Sequence, residues 1–159
     1  TSDYPIDLSR LRLFADAVGG LPDRYYGPGA AGGQAPIDVV APPLFPIHAI
    51  ELRPGSRALS TDPNAWGREG VTELGRSIGD RLGLPAESMV NGGSAVRIHS
   101  LARPGERVCG ESRLLSVASR TSSKAGPIVI AQSINAYATV CGRKLMDERV
   151  SVVYLGATL

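Results

Sequence analysis

The sequence predicts an α+β fold in which a long antiparallel sheet wraps around a central apolar helix. Three observations predict it. The first half of the chain carries helical periodicity interrupted by Pro- and Gly-rich loops. The second half carries three long strand-like runs joined by tight turns, which make an antiparallel meander. Between them lies a short proline-initiated segment, Phe45 to Leu52, that is apolar on most sides and therefore suited to burial under the sheet.

The elements follow in order. Asp7 or Ser9 can cap a first helix, whose Leu11, Phe14, Ala15 and Val18 recur at helical spacing. Gly19 and Gly20 end it, because glycine accepts the left-handed conformation at a helix terminus. Leu21 to Pro36 reads as loop, with Pro22, Pro28 and a Gly/Ala-rich stretch. Ile37 to Val40 is a brief strand or an extended lead-in. Pro42-Pro43 then opens the central helix, since proline fits a first helical turn.

Residues 53–85 form an elaboration whose Leu74, Ile78 and Leu82 make an amphipathic stripe ended by Gly83 and Pro85. Val96-Arg97-Ile98 alternates, and Arg103-Pro104-Gly105-Glu106 is a turn. Arg107 to Thr121 is a long strand whose Leu114-Leu115 break in alternation predicts a bulge. Pro127 to Cys141 places Ile128, Ile130, Ile134, Ala136 and Val140 on one face, and Leu145 to Leu155 is the last strand. With neither repeats nor a low-complexity linker, residues 1–159 read as one domain.

Composition narrows the function classes. The chain has 159 residues, 43% hydrophobic and 20% charged, an ordinary soluble mix long enough for a core without staples. A formal net charge of +2 argues against nucleic acid or a membrane surface as partner. Lys124 and Lys144 are the only lysines, so the cationic side is almost wholly arginine. No apolar run approaches the roughly 18 residues that span a bilayer, and no basic-then-apolar leader is visible. The two cysteines, Cys109 and Cys141, fall roughly opposite each other near the open end of the hairpin around Ser123 to Gly126. They read as reduced thiols of a cytoplasmic protein, and no His/Cys spacing suits a metal.

Three segments carry a resemblance. Ala41-Pro42-Pro43-Leu44-Phe45-Pro46 resembles the "A-P-P-T-F-P" signature at the central helix of the N-terminal half of MaoC-like dehydratases. Val90 to His99, running into Arg103-Pro104-Gly105-Glu106, resembles that family's "H-G-x-Q-x-F-x-x-H-R-P-L-x-x-G-D" strand and turn. Asn91 stands where the family has His, and Ser100-Leu101 where it has Arg-Pro. The tail around Ala138 to Arg149 is similar to the family's "N-x-x-G-x-x-V" hairpin. The matches come in the family's order and span most of the chain.

The resemblance implies a hot-dog fold and reversible addition of water across an enoyl thioester. Active members carry an Asp followed by a His in a "G-D-x-N-P-x-H" loop, one group activating water and the other handling the α-proton. Here the corresponding stretch is Gly19 to Tyr26: the Asp position falls at Gly20 and the His position at Arg24 or Tyr25. The pair is absent in any of these registers. The resemblance therefore implies a non-catalytic, tunnel-lining subunit of a heteromeric enoyl-CoA or enoyl-carrier hydratase. Its partner would be a MaoC-like hot-dog subunit with an intact Asp/His loop, or a second copy in a homodimer. No cofactor is implied beyond the CoA or carrier pantetheine that belongs to the substrate. The acyl group, whether fatty, polyketide or steroid side chain, is left open.

Candidate site residues divide between functional and structural readings. Asp23 is a displaced acid or base, or a turn residue after Pro22. His48 is a proton donor at a tunnel mouth, or a satisfied core or interface histidine. Tyr25, Tyr26 and Phe45 line an acyl path or anchor packing, and His99 is structural or at the tunnel edge. Asn91 and Gly92 permit close backbone approach to a ligand, or form a bulge. Arg97 and Arg103 pair with a CoA phosphate or stay solvated. Competing functions are a hot-dog thioesterase, for which Glu51 is the only nearby carboxylate, an acyl-binding subunit without chemistry, and an independent hydratase using Asp23 and His48.

Overall fold

The computed structural model describes residues 1–19, 39–50, 79–84 and 88–159. Four strands, β1 (Met89–Ile98), β2 (Val108–Ser122), β3 (Gly126–Thr139) and β4 (Lys144–Leu155), form one sheet in the order β1-β4-β3-β2. β2, β3 and β4 are successive hairpins. β1 returns beside β4 and runs antiparallel to it: the His99 N–H donates to the Leu145 carbonyl at 2.8 Å, while Gly92 lies against Ser151 and Val153.

The turns are specified locally. Ser122 Oγ accepts from the N–H groups of Lys124 and Ala125, and Gly126 takes φ 70°. At the β3–β4 turn, Gly142 takes φ 88° while Thr139 Oγ1 accepts from the Arg143 N–H at 3.1 Å.

By contact the chain resolves into two compact units, to both of which β2, β3 and β4 contribute. The first comprises Thr1–Leu59, Ile98–Gly110 and Ala136–Met146. Its helix α1 (Leu8–Val18) begins at Asp7, whose Oδ1 accepts from the Ser9 N–H at 2.8 Å. It ends at Gly19, φ 72°. Leu11 and Ala15 are buried, whereas Val18, on the expected apolar face, is exposed. Leu11 joins Ile6, Ala41, Phe45, Ala49, Ala102, Val108 and Leu145 in a core flanked by Phe14, Val39, Ile50 and Tyr137. The N-terminal residues are stitched to the start of β2: the Ser2 N–H donates to the Val108 carbonyl and Arg107 donates to the Ser2 carbonyl.

The second unit comprises Ser60–Arg97, Glu111–Asn135 and Asp147–Leu159. Its core gathers Leu84, Val129, Ala131, Val150, Val152, Tyr154 and Ala157. The burial therefore falls on the odd-numbered face of β3, opposite the isoleucine face. Ile128, Ile130 and Ile134 are only half-buried. Side-chain bulk does not tell a two-sided apolar strand which face will be covered.

The bulge expected in β2 is present. Ser112 Oγ bonds Asn135 on the inward face, Ser116 Oγ reaches Gln132 on the outward face, and Val117 packs inward against the second core. Two inward residues an odd number apart require one extra residue between them.

The central helix is a correction. In place of a helix over 45–52, the structure has one 3₁₀ turn, Phe45–His48, with Ala49 and Ile50 outside it. Its bonds are of the i→i+3 kind: Phe45 to Pro42, Ile47 to Leu44, Ala49 to Pro46. Pro46 has no N–H to give, and β-branched Ile47 is a modest helix former. Of the brief strand or extended lead-in expected over 37–40, Val39 and Val40 lie in no strand, as a lead-in would, and Ile37 and Asp38 lie outside the described residues. Of the 53–85 elaboration, residues 79–82 are helical and Gly83 takes φ 67°, so the expected stop is in place, while Leu74, Ile78 and Pro85 lie outside the described residues.

Candidate functional site

Three groups of residues bear on function, and each sits on a different piece of the chain. The first surrounds the proline-initiated turn. Phe45 is 2% exposed, and its ring meets Phe14 edge-on with centroids 5.4 Å apart and planes at 89°. His48 is exposed, its ring 5.4 Å from Phe14, and the Arg10 guanidinium bonds the His48 carbonyl and lies over the Phe45 ring. The histidine thus sits at the rim of the first core.

The second group lies on β1, which is exposed along nearly its whole length. Asn91 Oδ1 accepts from the Gly93 N–H at 2.7 Å, and Gly93 takes φ 111°, a conformation that favours glycine. The space that a Cβ on Gly92 would occupy is already bounded by Val153 Cγ2 at 3.0 Å and the Ser151 carbonyl at 3.2 Å. The close approach at Gly92 is therefore to β4. Arg97 is exposed at the end of the strand.

Arg103 stands beyond β1 in the turn, where its N–H donates to Glu106 Oε2 at 2.8 Å. Arg143 closes the same turn, bonding Glu106 as an ion pair and reaching Ser100 Oγ at 2.7 Å and the Leu101 carbonyl at 3.0 Å. Asn91, Gly92 and Arg97 thus share one strand, and Phe45 and His48 share one turn. Asp23, Tyr25 and Tyr26 lie outside the described residues, as does Glu51.

The third group has no counterpart among the sequence candidates. A polar line crosses the inward face of the second unit. Ser112 Oγ donates to Asn135 Oδ1 at 2.7 Å, and Asn135 Nδ2 donates to Glu148 Oε2 at 3.2 Å. Asn135 is 6% and Glu148 3% exposed, and Glu148 has no ion pair among the described residues. Ser133, two residues before Asn135 on the same face, is 1% exposed, and its Oγ has no hydrogen-bond partner among the described residues. The signal was present in the sequence: Ser133 and Asn135 continue the period-two series Val129, Ala131, and Glu148 leads the series Val150, Val152, Tyr154. Naming them required knowing which face is buried.

Two titratable groups depart from their ordinary values. Bonds from Ser9 to the Asp7 carboxylate hold it below the usual carboxylate value. Burial pushes the Tyr154 phenol up, against a backbone bond at Gly79, with the Asp80 charge adding to the rise. Cys109 and Cys141 are free thiols. The Cys109 Sγ lies 3.4 Å from the Ala138 carbonyl, and Cys141 is exposed in the β3–β4 turn. Among the described residues no group of three or more His, Cys, Asp or Glu is placed to hold a metal, and no helix is long and apolar enough to cross a membrane.

The profile of a family described as "FAS1-like, dehydratase domain region" matches residues 1–148. The chain belongs to this family. Curated proteins gave no match. Among the described residues, the chain's antiparallel four-stranded sheet has the fold of solved MaoC-like dehydratases.

The chain resembles the ChsH1-ChsH2 complex from Mycobacterium tuberculosis with a TM-score of 0.66 and 14% identity, covering 99% of this chain and 83% of that one. It resembles the C-terminally truncated HadBC (3R-hydroxyacyl-ACP dehydratase) complex from the same organism with a TM-score of 0.58 and 16% identity, covering 94% and 88%. A MaoC-like dehydratase from Rhodospirillum rubrum gives a TM-score of 0.54 and 14% identity, covering 98% and 88%. At these identities the likeness is one of fold.

Proposed function

We propose that this FAS1-like dehydratase chain is the non-catalytic, tunnel-lining subunit of a heteromeric enoyl-thioester hydratase (3-hydroxyacyl-thioester dehydratase). One observation carries the reading: the Asp-then-His loop of active MaoC-like enzymes has no counterpart between Gly19 and Tyr26. The two histidines, His48 and His99, stand elsewhere, in the proline-initiated turn and just after β1. Without a positioned acid–base pair, the proton transfers of hydration lose the roughly 10²–10⁴-fold that such groups contribute.

Two further observations support an assembly. Two of the solved structures with the same fold are heteromeric complexes. β1 is an exposed edge strand, and proteins cover or pair such edges. The chain's part is then to complete a shared sheet and line the acyl path, while the partner supplies the acid and base. Phe45 and the arginines Arg97 and Arg103 are the residues proposed to meet acyl and phosphate groups.

The test is crotonyl-CoA hydration by the full chain alone and together with a MaoC-like partner bearing the Asp/His loop. We expect turnover only from the pair. Robust turnover by the isolated chain, abolished by Asp23→Asn, would replace this reading with an independent hydratase.

A further inference from the structure

We propose that the outward face of the second unit is a contact surface for a second copy of this chain, in which a basic row and an acidic row each meet the other across a two-fold axis. The surface is distinct from the β1 edge, and the proposal does not depend on the chain's part in a hydratase.

Alternation places the rows. Ser112, Asn135 and Glu148 stand abreast on β2, β3 and β4, their side chains bonded to one another on the inward side. The residues flanking Ser112 and Glu148 therefore take the outward side. Arg113 and Arg149 follow them in sequence, and Glu111 and Asp147 precede them. β2 and β4 run in the same direction, each antiparallel to the β3 between them. The two arginines thus share one row across the sheet, and the two acids share the next. The rows are about 7 Å apart along the strands, and the members of a row about 10 Å apart across β3. All four residues belong to the second unit; Asp147 is half-buried and the other three are exposed.

The charges are not satisfied within the chain. Glu111, Arg113 and Arg149 make no hydrogen bond or ion pair with any described residue. Glu111 and Arg113 are same-side neighbours on one strand, yet they leave each other unbridged.

The pattern selects its partner. A polyanion drawn to the arginines is repelled by the acids, and a polycation by the arginines. The partner must set acids over the basic row and arginines over the acidic row at the same spacing. A half-turn about an axis crossing the strands above the Ser112–Asn135–Glu148 line makes a second copy do so. It lays β2 antiparallel over the β2 of the second copy, and β4 over its β4. Arg113 then meets Glu111, and Arg149 meets Asp147, in both directions. A half-turn about an axis along the strands sets Arg113 against Arg149 instead, and like charge opposes it. Sheets packed face to face lie about 10 Å apart, a gap that an arginine and a carboxylate side chain bridge together.

Two variants of the full chain test this by sedimentation. Glu111→Arg with Asp147→Arg makes both rows basic, and Arg113→Glu with Arg149→Glu makes both acidic. The wild-type chain is expected to dimerise, with a dissociation constant that rises about tenfold between roughly 0.05 M and 0.5 M salt. Each variant alone is expected to stay monomeric where the wild type is dimeric, and the two mixed are expected to form a one-to-one dimer. Arg120→Glu with Lys124→Glu adds the same negative charge at the exposed hairpin tip, and this chain is expected not to pair with the basic variant.

Circular dichroism checks that each variant folds. If one does not, the fourfold exchange Glu111→Arg, Arg113→Glu, Asp147→Arg and Arg149→Glu decides, because it swaps the rows and must restore the dimer. A monomeric wild type, a mixture or a fourfold exchange that stays monomeric, or pairing of the basic variant with the hairpin-tip variant overturns the proposal. A dimer indifferent to the substitutions overturns it in favour of another surface, such as the β1 edge.

Discussion

The Phe14 ring on α1 stands perpendicular to the Phe45 ring, edge to face, with centroids 5.4 Å apart. This pair ties the first helix to the proline-initiated turn in the core of the first unit. Phe45→Ala is expected to cost about 3–5 kcal/mol, the range for emptying a buried aromatic site, and Phe14→Ala less because Phe14 is only partly buried. A double-mutant cycle read by urea denaturation should show a coupling of about 1 kcal/mol. Additive effects would mean that the two rings act independently.

Glycines 92 and 110 should respond differently to a single methyl. At Gly92 the added Cβ meets the backbone carbonyl of Ser151 at 3.2 Å as well as Val153. Backbone in a central strand cannot yield, so Gly92→Ala should cost about 1–3 kcal/mol. At Gly110 the Cβ meets Ile50 Cδ1 at 2.7 Å, the far end of a side chain that can rotate away. Gly110→Ala should cost less, and in an Ile50→Val background, which lacks that atom, its cost should nearly vanish. Chemical denaturation of the four variants checks the order.

Acid should loosen α1 through its cap. The Asp7 carboxylate is held below its ordinary value by the Ser9 bonds, so its contribution is present above that value. The contribution is lost as pH falls through the lowered one. Amide hydrogen exchange in Leu8–Val18 should therefore accelerate on acidification. Asp7→Asn, which caps without titrating, should flatten the response, whereas Asp7→Ala should lose protection at every pH.

Alkali should destabilise the second unit. The Tyr154 phenol is raised above its ordinary value of 10.0, chiefly by burial, so the unfolded chain ionises first. Stability is full below that value and falls as pH rises through the window between the unfolded and folded values. Tyr154→Phe should give up roughly 1 kcal/mol at neutral pH with the bond at Gly79, and should show a flatter decline in alkali. Thermal melts across that range measure both effects.

Strands and turns were legible because their signals are local. Alternation placed β2, β3 and β4 to within a residue or two, glycine marked the turns at 126 and 142, and the broken alternation at Leu114-Leu115 marked the bulge. The Asp7 cap was equally local. Two things were not local. Whether 45–50 forms an α-helix or a single 3₁₀ turn depends on Pro46 breaking the bonding pattern just after Pro42-Pro43 opens it. Which face of β3 is buried depends on what the chain lays over it, and the face that carries Ile128, Ile130 and Ile134 is the less buried of the two. The Glu148 line went unseen for the same reason: an acidic residue in an apolar series reads as exposed until its neighbours are known to be buried.

The bulge in β2 gives that strand two phases. Before it, Ser112 faces Asn135; after it, Val117 faces the apolar core. Deleting one residue between them would merge the phases, and the strand could then keep the polar partner or the apolar one, never both. Length changes in this strand are thus confined to the hairpin tip beyond Ser122, while the stretch from Ser112 to Val117 must be inherited as a fixed-length cassette.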